Sequence, residues 1–364
     1  MTKLERVERT LVCEPTDRVP VVDKIRNDAA LRYYTGEPVR IATGFATVCR
    51  AMDRLLDLFI NIRLPERARR WLGEDGRERQ TYRWTTWVVE RKFESMRSLV
   101  AELEAEIGRL RAWRPDAAYV AAYREEFLRP FAYMRSDDPP VRTFGSLGTL
   151  NELHSLCGLE QFCYLNADHP DLVAAWLDAR TEMAVAHVHA IAPLGLSPVA
   201  HHAEDIAFKT ATLFSPAMLR AMLFPRLKRI VDAWHAYAIK VQFHSDGYLL
   251  DILDDLLACG FDGLHPIEPI AGMDPGELRR RVGRRMFLCG GIDVSQLLPF
   301  GTVAEVRAAC ERAIAEAAPG YFIGSSTEMH AEVPLRNVRV VYETPFRLAG
   351  LAAPGPGLRV SARR

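Results

Sequence analysis

The stretch IKVQFHSDGYLLDILDDL, residues 239–256, stops an apolar run abruptly in His244, Ser245, Asp246 and Gly247 before a helical pattern begins. An imidazole and a carboxylate two residues apart suit a divalent-cation ligand pair or an acid–base pair. A plain turn needs neither of them. The pattern recurs along the chain. SPVAHH, with His201 and His202, runs into Glu204, Asp205 and Lys209; FDGLH ends in His265 and precedes Glu268; CGGID ends in Asp293. GYFIG is followed by Ser325, Ser326, Thr327, Glu328 and His330, and DRVPVVDK by Arg26 and Asn27 after its own Asp23 and Lys24. Ser146 and Asn151 follow RTFG in the same way. The set is rich in oxygen and nitrogen donors and poor in thiolates. His244, Asp246, Glu204 and Glu328 are expected to hold one divalent metal, zinc or a harder ion, or to carry proton transfers. Lys24, Arg26, His201, Asp205, Lys209, Glu268 and Asp293 are expected to contact substrate. Each has a plainer reading beside this one. A strand-end histidine is often only hydrogen-bonded, Asp293 could cap a helix after the tight GGID turn, and Asp246 could cap a helix near Tyr248.

The elements that must position these residues alternate. From residue 197 onward the chain gives five strand–loop–helix units: a short apolar run, a polar loop, then a helix opened by Ser215-Pro216, Asp274-Pro275, Thr302 or Pro334. Such alternation requires parallel strands joined by helical crossovers, and continuously apolar strands are buried on both faces. Polar residues follow every strand rather than one switch point. The expectation is therefore a single α/β domain over residues 1–350, a (β/α)8 TIM barrel with the site at the C-terminal ends of its strands. The N-terminal half is less regular. DRVPVVDK reads as a first strand, DLFINIRLPE and QTYRWTTWVVER as strands or a hairpin, and residues 95–129 as a charged, solvated helix. Residues 351–364, Pro/Gly-rich and basic, read as a disordered tail.

Of 364 residues, 49% are apolar, enough for a large core, and Lys plus Arg equals Asp plus Glu at 47 each. That balance gives no reason to expect nucleic acid or an anionic membrane as partner. Neither a secretory h-region nor an 18-residue apolar run stands out, so a cytoplasmic location is expected. Seven scattered cysteines, with no CxxC pair, speak against disulfides or a zinc ribbon.

Several blocks resemble the uroporphyrinogen decarboxylase superfamily: DRVPV at 17–21, EDIAFKTATLFSPAMLRAMLFPRLKRIV at 204–231, FHSDGYLLDILDDLLACGFDGLHPIEPIAGMD at 243–274, CGGID at 289–293 and GYFIGSSTEMHAEVPLRNV at 320–338. The resemblance implies one (β/α)8 barrel with its cleft at the strand C-terminal ends. It implies either decarboxylation of a porphyrinogen or methyl transfer with a corrinoid protein and zinc. The departures are specific. Where the decarboxylases carry Gln-Ala-Gly-Arg for substrate carboxylates, this chain has VVDKIRNDAALRYYTGE, with Lys24 and Arg26. Their Gly-His-Gly histidine falls at Thr327. The His-x-Cys of the zinc methyltransferases becomes His244-Ser245-Asp246, and their later Cys again falls near Thr327. The readings that result are a metal-assisted methyltransferase with a corrinoid or pterin-type partner, a decarboxylase of a poly-acid, and a tetrapyrrole-binding barrel without chemistry.

Overall fold

Val21 and Val22 sit between the two ends of a ring of parallel strands. The computed structural model describes residues 1–73, 77–89, 93 and 95–357. Its strands are β1 (Leu58–Phe59), β2 (Arg69–Leu72), β3 (Glu78–Thr81), β4 (Thr86–Val88), β5 (Val141–Arg142), β6 (Phe144–Gly145), β7 (Val199–Ala203), β8 (Ala207–Phe208), β9 (Ala211–Thr212), β10 (Lys240–His244), β11 (Gly263–Ile267), β12 (Phe287–Ile292) and β13 (Tyr321–Ser325). A continuous parallel sheet runs β6-β7-β10-β11-β12-β13. Ile323 of β13 then bridges to Val21, Val22 bridges to Leu58, and β1 pairs with β5, the segment that continues into β6. All these pairings are parallel. They bring the ring back to its start with eight staves, the first being the Val21–Val22 segment. The barrel expected from the alternation is the fold observed.

Side chains alternate across each stave, so every second residue faces the axis. Val22, Leu58, Val141, Val199, Phe287, Cys289 and Phe322 form one buried apolar cluster that fills the barrel, and Val7 and Leu11 of the first helix (Lys3–Leu11) join it. Two positions further along three of those strands come Lys24, His201 and Gly324. Gly324 is needed for closure, because a Cβ there would meet the Val22 carbonyl oxygen at 2.0 Å. The helices start where their caps predict. Ser215, Asp274 and Thr302 each accept a backbone N–H at the start of Pro216–Met222, Pro275–Val282 and Val303–Ala317.

Three differences from the sequence-based reading have local causes. The expected 95–129 helix is two, Met96–Ala112 and Ala117–Leu128; Pro115 cannot continue the first, and Asp116 caps the second. The first of them is not merely a solvated face, since Leu99, Leu103, Ile107 and Leu110 bury one side against the helix Pro170–Ile191. As expected, DLFINIRLPE supplies a strand, β1, and QTYRWTTWVVER a hairpin, β3–β4, which with β2 makes an antiparallel sheet outside the ring. In the expected tail, residues 351–357 lie along the body: Gly357 N–H donates to Tyr33 O at 2.8 Å and Arg54 to Gly355 O at 3.0 Å. Residues 358–364 fall outside the described residues.

Two buried carboxylates tie the first stave into the ring. Asp57, fully buried, accepts from Arg6 Nη1 (2.7 Å), Arg18 Nη1 and Nη2 (2.7 and 2.8 Å) and Val21 N (2.8 Å). Asp23 accepts from Lys24 N, Ser325 N, Ser325 Oγ and Tyr342 Oη at 2.8, 3.1, 2.7 and 3.1 Å. Asp57→Ala strands the buried Arg18 guanidinium and leaves Arg6 paired only with Asp17, so urea unfolding should show a loss of about 3–5 kcal/mol. Burial raises the Asp23 carboxyl to about 6, against the donors that oppose it. Between the unfolded value near 4 and about 6 the folded protein binds the extra proton, so this group's contribution to stability falls as pH rises through that window. Urea midpoints measured from pH 4 to 7 should show that slope in the wild type and its absence in Asp23→Asn, a difference of about 3 kcal/mol in all.

Candidate active site at the mouth of the barrel

Three histidines meet at the top of the barrel interior. His201, His244 and His265 come from β7, β10 and β11, which are neighbours in the ring. His244 is the register partner of His265, and His201 pairs with Gln242 two residues before His244. Each of the three sits at an inward position, so they face one another. Each offers a ring nitrogen within 4.8 Å of those of the other two. His244 Nδ1 and His265 Nδ1 are 2.8 Å apart and share one hydrogen. The ring centroids stand 5.1 Å (His201–His244), 5.5 Å (His201–His265) and 4.9 Å (His244–His265) apart. Among the described residues this is the only group of three or more His, Cys, Asp or Glu side chains converging so closely.

Burial, and then the positive charge of Lys24, push the His201 imidazole down to about 3 and hold His244 and His265 well below the ordinary histidine value. All three are neutral at pH 7, and the bond between His244 and His265 engages the Nδ1 lone pair of whichever ring accepts. Lys24 follows Val22 in the inward alternation, is 8% exposed, and makes no hydrogen bond or close ion pair through its ammonium among the described residues. Burial lowers its pKa, with Glu328 and Asp246 acting in the opposite direction.

The rim carries the carboxylates. Asp205 Oδ1 lies 3.6 Å from His244 Nε2 and accepts the Asp246 N–H at 3.3 Å. Burial, with the like charge of Asp246, raises its pKa. Asp246 Oδ1 accepts from Thr327 Oγ1 at 2.8 Å rather than capping a helix. Thr327 holds a φ of 123°, a costly conformation for a β-branched residue and of the kind that gathers at working sites. Asp246 and Thr327 are the two positions at which the family resemblance expects thiolates, and they touch. Glu268 accepts the Gly247 N–H at 2.8 Å, and its pKa is raised by burial.

The expected metal set, His244 with Asp246, Glu204 and Glu328, is not the one brought together. Glu204 is fully buried and engaged elsewhere: it accepts from Thr149 N and Oγ1 and from Asn151 N, beside His202 Nε2 at 3.4 Å. Burial works to raise its pKa, and His202 with those donors outweighs it. Glu328 pairs with Arg26 at 2.5 Å. Asp293 caps the following turn, accepting from Ser295, Gln296 and Leu297 N–H groups, so the plainer reading holds for it. Lys209 stands exposed at the turn of the β8–β9 hairpin, with its charge acting on Glu268. His201, expected only to touch substrate, is in the cluster itself. His265 was absent from the expected ligands. Its signal was present in the period-2 pattern, because VAHH, QFH and GLH each place a histidine on the same side of the strand.

The family profile described as uroporphyrinogen decarboxylase (URO-D) matches residues 150–345, more than half of the chain and all three histidines. The chain belongs to the uroporphyrinogen decarboxylase family. Two relatives are methylcobamide:CoM methyltransferases, MtaA, of Methanosarcina barkeri and of M. barkeri strain Fusaro / DSM 804. They are 29% and 28% identical over 208 residues, 56% of this chain and 57% of theirs, so the match spans little more than half of those relatives. A solved methyltransferase from Methanosarcina mazei superposes with a TM-score of 0.67 over 96% of this chain and 99% of its own, at 19% identity, which establishes the shared fold. If Glu204 supports the family barrel rather than a metal, Glu204→Gln should lower stability by about 1–3 kcal/mol in urea unfolding, because an amide nitrogen then faces donors. Its metal titration should match the wild type.

Proposed function

We propose that this family member is a methyltransferase that moves a methyl group between a corrinoid-type carrier on a partner protein and a small acceptor bound at the barrel mouth. The observation that carries the reading is the converging, neutral triad His201–His244–His265, considered with the methyltransferase names of the relatives. The donor set fits a divalent metal. Three neutral imidazoles are the ligand type zinc and the mid-row ions take, and the carboxylates that would compete for protons stand at the rim. Such an ion supplies Lewis acidity toward an acceptor sulfur or oxygen.

The chain's own groups have separable parts in this reading. Lys24, buried and without an ion-pair partner among the described residues, holds an anionic or polar end of the acceptor near the imidazoles. Asp205, its pKa raised and 3.6 Å from His244, takes or holds the proton the acceptor gives up on methylation. Asp246, fixed by Thr327, keeps Asp205 in place and sustains that raised pKa. The pairing of Arg26 with Glu328 speaks against decarboxylation of a poly-acid, which needs several cations free to hold carboxylates.

Titration of the purified protein with Zn(II) and Co(II) tests the metal. The wild type should bind one equivalent. Ala at His201, His244 or His265 should each lower affinity by at least ~10–100-fold, the range seen even when a supporting residue is lost. Asp246→Asn should leave affinity within several-fold. A large loss in Asp246→Asn with none in His265→Ala would return the site to a His244–Asp246 pair.

A further inference from the structure

Gln242 is an anomaly in the barrel interior. It is fully buried, and the filling of the barrel around its level is apolar: Val199, Phe287, Cys289 and Phe322. Yet among the described residues its amide nitrogen Nε2 has no nitrogen or oxygen hydrogen-bond partner. Buried amides are normally satisfied on both sides, and one left half-satisfied calls for a reason. Its other atom supplies one. Oε1 faces His201 Nδ1 at 3.4 Å, across the register pair that joins β7 to β10. With its oxygen on this side the amide can only accept, which sets the His201 proton on Nδ1. The neutral ring then keeps Nε2 as a lone pair. With the amide turned the other way, Nε2 would donate to His201 Nδ1 and move the ring proton onto the nitrogen a metal requires. The arrangement present turns the amide nitrogen toward Cys289, whose thiol burial holds well above its ordinary pKa while a hydrogen bond from the Gln242 side chain acts to lower it.

We propose that Gln242 is a positioning residue: its amide oxygen fixes the His201 proton on Nδ1 and turns the Nε2 lone pair toward the His201–His244–His265 site. The inference rests on the metal-site reading above and adds to it the residue that makes His201 a competent ligand. A metal-ligating histidine typically donates its other N–H to a fixed acceptor, and losing that acceptor weakens binding about 10–100-fold. Here a buried carboxamide on the neighbouring stave takes that place.

Two readouts test it. In metal-free protein labelled with 15N-histidine, the wild-type His201 resonances, assigned by their loss in His201→Ala, should be those of the Nδ1–H tautomer; in Gln242→Leu they should shift to a mixture or to Nε2–H. In Zn(II) and Co(II) titrations, Gln242→Leu should bind about 10–100-fold more weakly than the wild type, and Gln242→Glu, which keeps the acceptor, should bind at least as tightly as the wild type. A packing role alone would change melting temperature in both variants without sorting their affinities by acceptor. An Nε2–H tautomer in the wild type, or equal affinities in all three proteins, overturns the proposal. Absence of metal binding by the wild type sinks the metal-site reading; the tautomer spectra of wild type and Gln242→Leu still decide Gln242. If the Leu variant does not fold, the wild-type spectrum and the Glu titration decide it.

Discussion

A closed ring of parallel strands leaves each residue only two directions, toward the axis or toward the helices. This parity governs the molecule. Once Val199, Phe287 and Phe322 fill the axis, the residue two further along β7 must also face inward, whatever its polarity. β10 and β11 obey the same rule in register with it. Barrel interiors are ordinarily layered with branched aliphatics. Here the uppermost layer is His201, His244, His265 and Lys24, so polarity begins where packing is no longer obligatory. The layer below is not free to hold charge, and it contains a neutral amide and a thiol.

The electrostatics follow from that stacking. A low-dielectric floor under three imidazoles disfavours their protonation, and a buried ammonium nearby disfavours it again. The acids are excluded from the floor and gather at the rim, where Asp205, Asp246 and Glu268 crowd one another and burial raises the pKa of Asp205 and Glu268. Neutral imidazoles therefore lie below and carboxylates above, separated by depth. Glu204 shows what happens to a carboxylate that is fully buried in this fold: it becomes a hydrogen-bond hub joining the Thr149–Asn151 turn to β7.

The barrel was legible because alternation and helix caps are local signals. Ser215, Asp274 and Thr302 announce helices without reference to anything distant. The site was legible only as a pool of strand-end residues. His244, Asp246, Asp205 and Lys24 were rightly expected at the mouth, but partnership is a tertiary property. Glu204 and Glu328 have the right chemistry and the right loops, and other residues reached them first. His265 was passed over because His-x-Asp spacing drew attention along the chain, whereas the contacts that matter run across it, from stave to stave. The family pattern did place Asp246 and Thr327 as a related pair, something neither periodicity nor composition can supply.

The seam of the ring is narrow. The first stave is held by single bridges, Val21 to Ile323 on one side and Val22 to Leu58 on the other, reinforced by Asp23 and Asp57. The three histidines lie within residues 201–265 of one contiguous sheet, whereas Lys24 comes from the opposite end of the chain and must close against residues about 300 positions away. The imidazoles can therefore gather before the cation arrives. During synthesis the last staves emerge long after the first, so the buried ammonium reaches the imidazoles only as the sheet becomes a cylinder. Completion of the pocket is in this way tied to completion of the fold, and a chain cut short at its C-terminal strand would hold three histidines with no Lys24 against them.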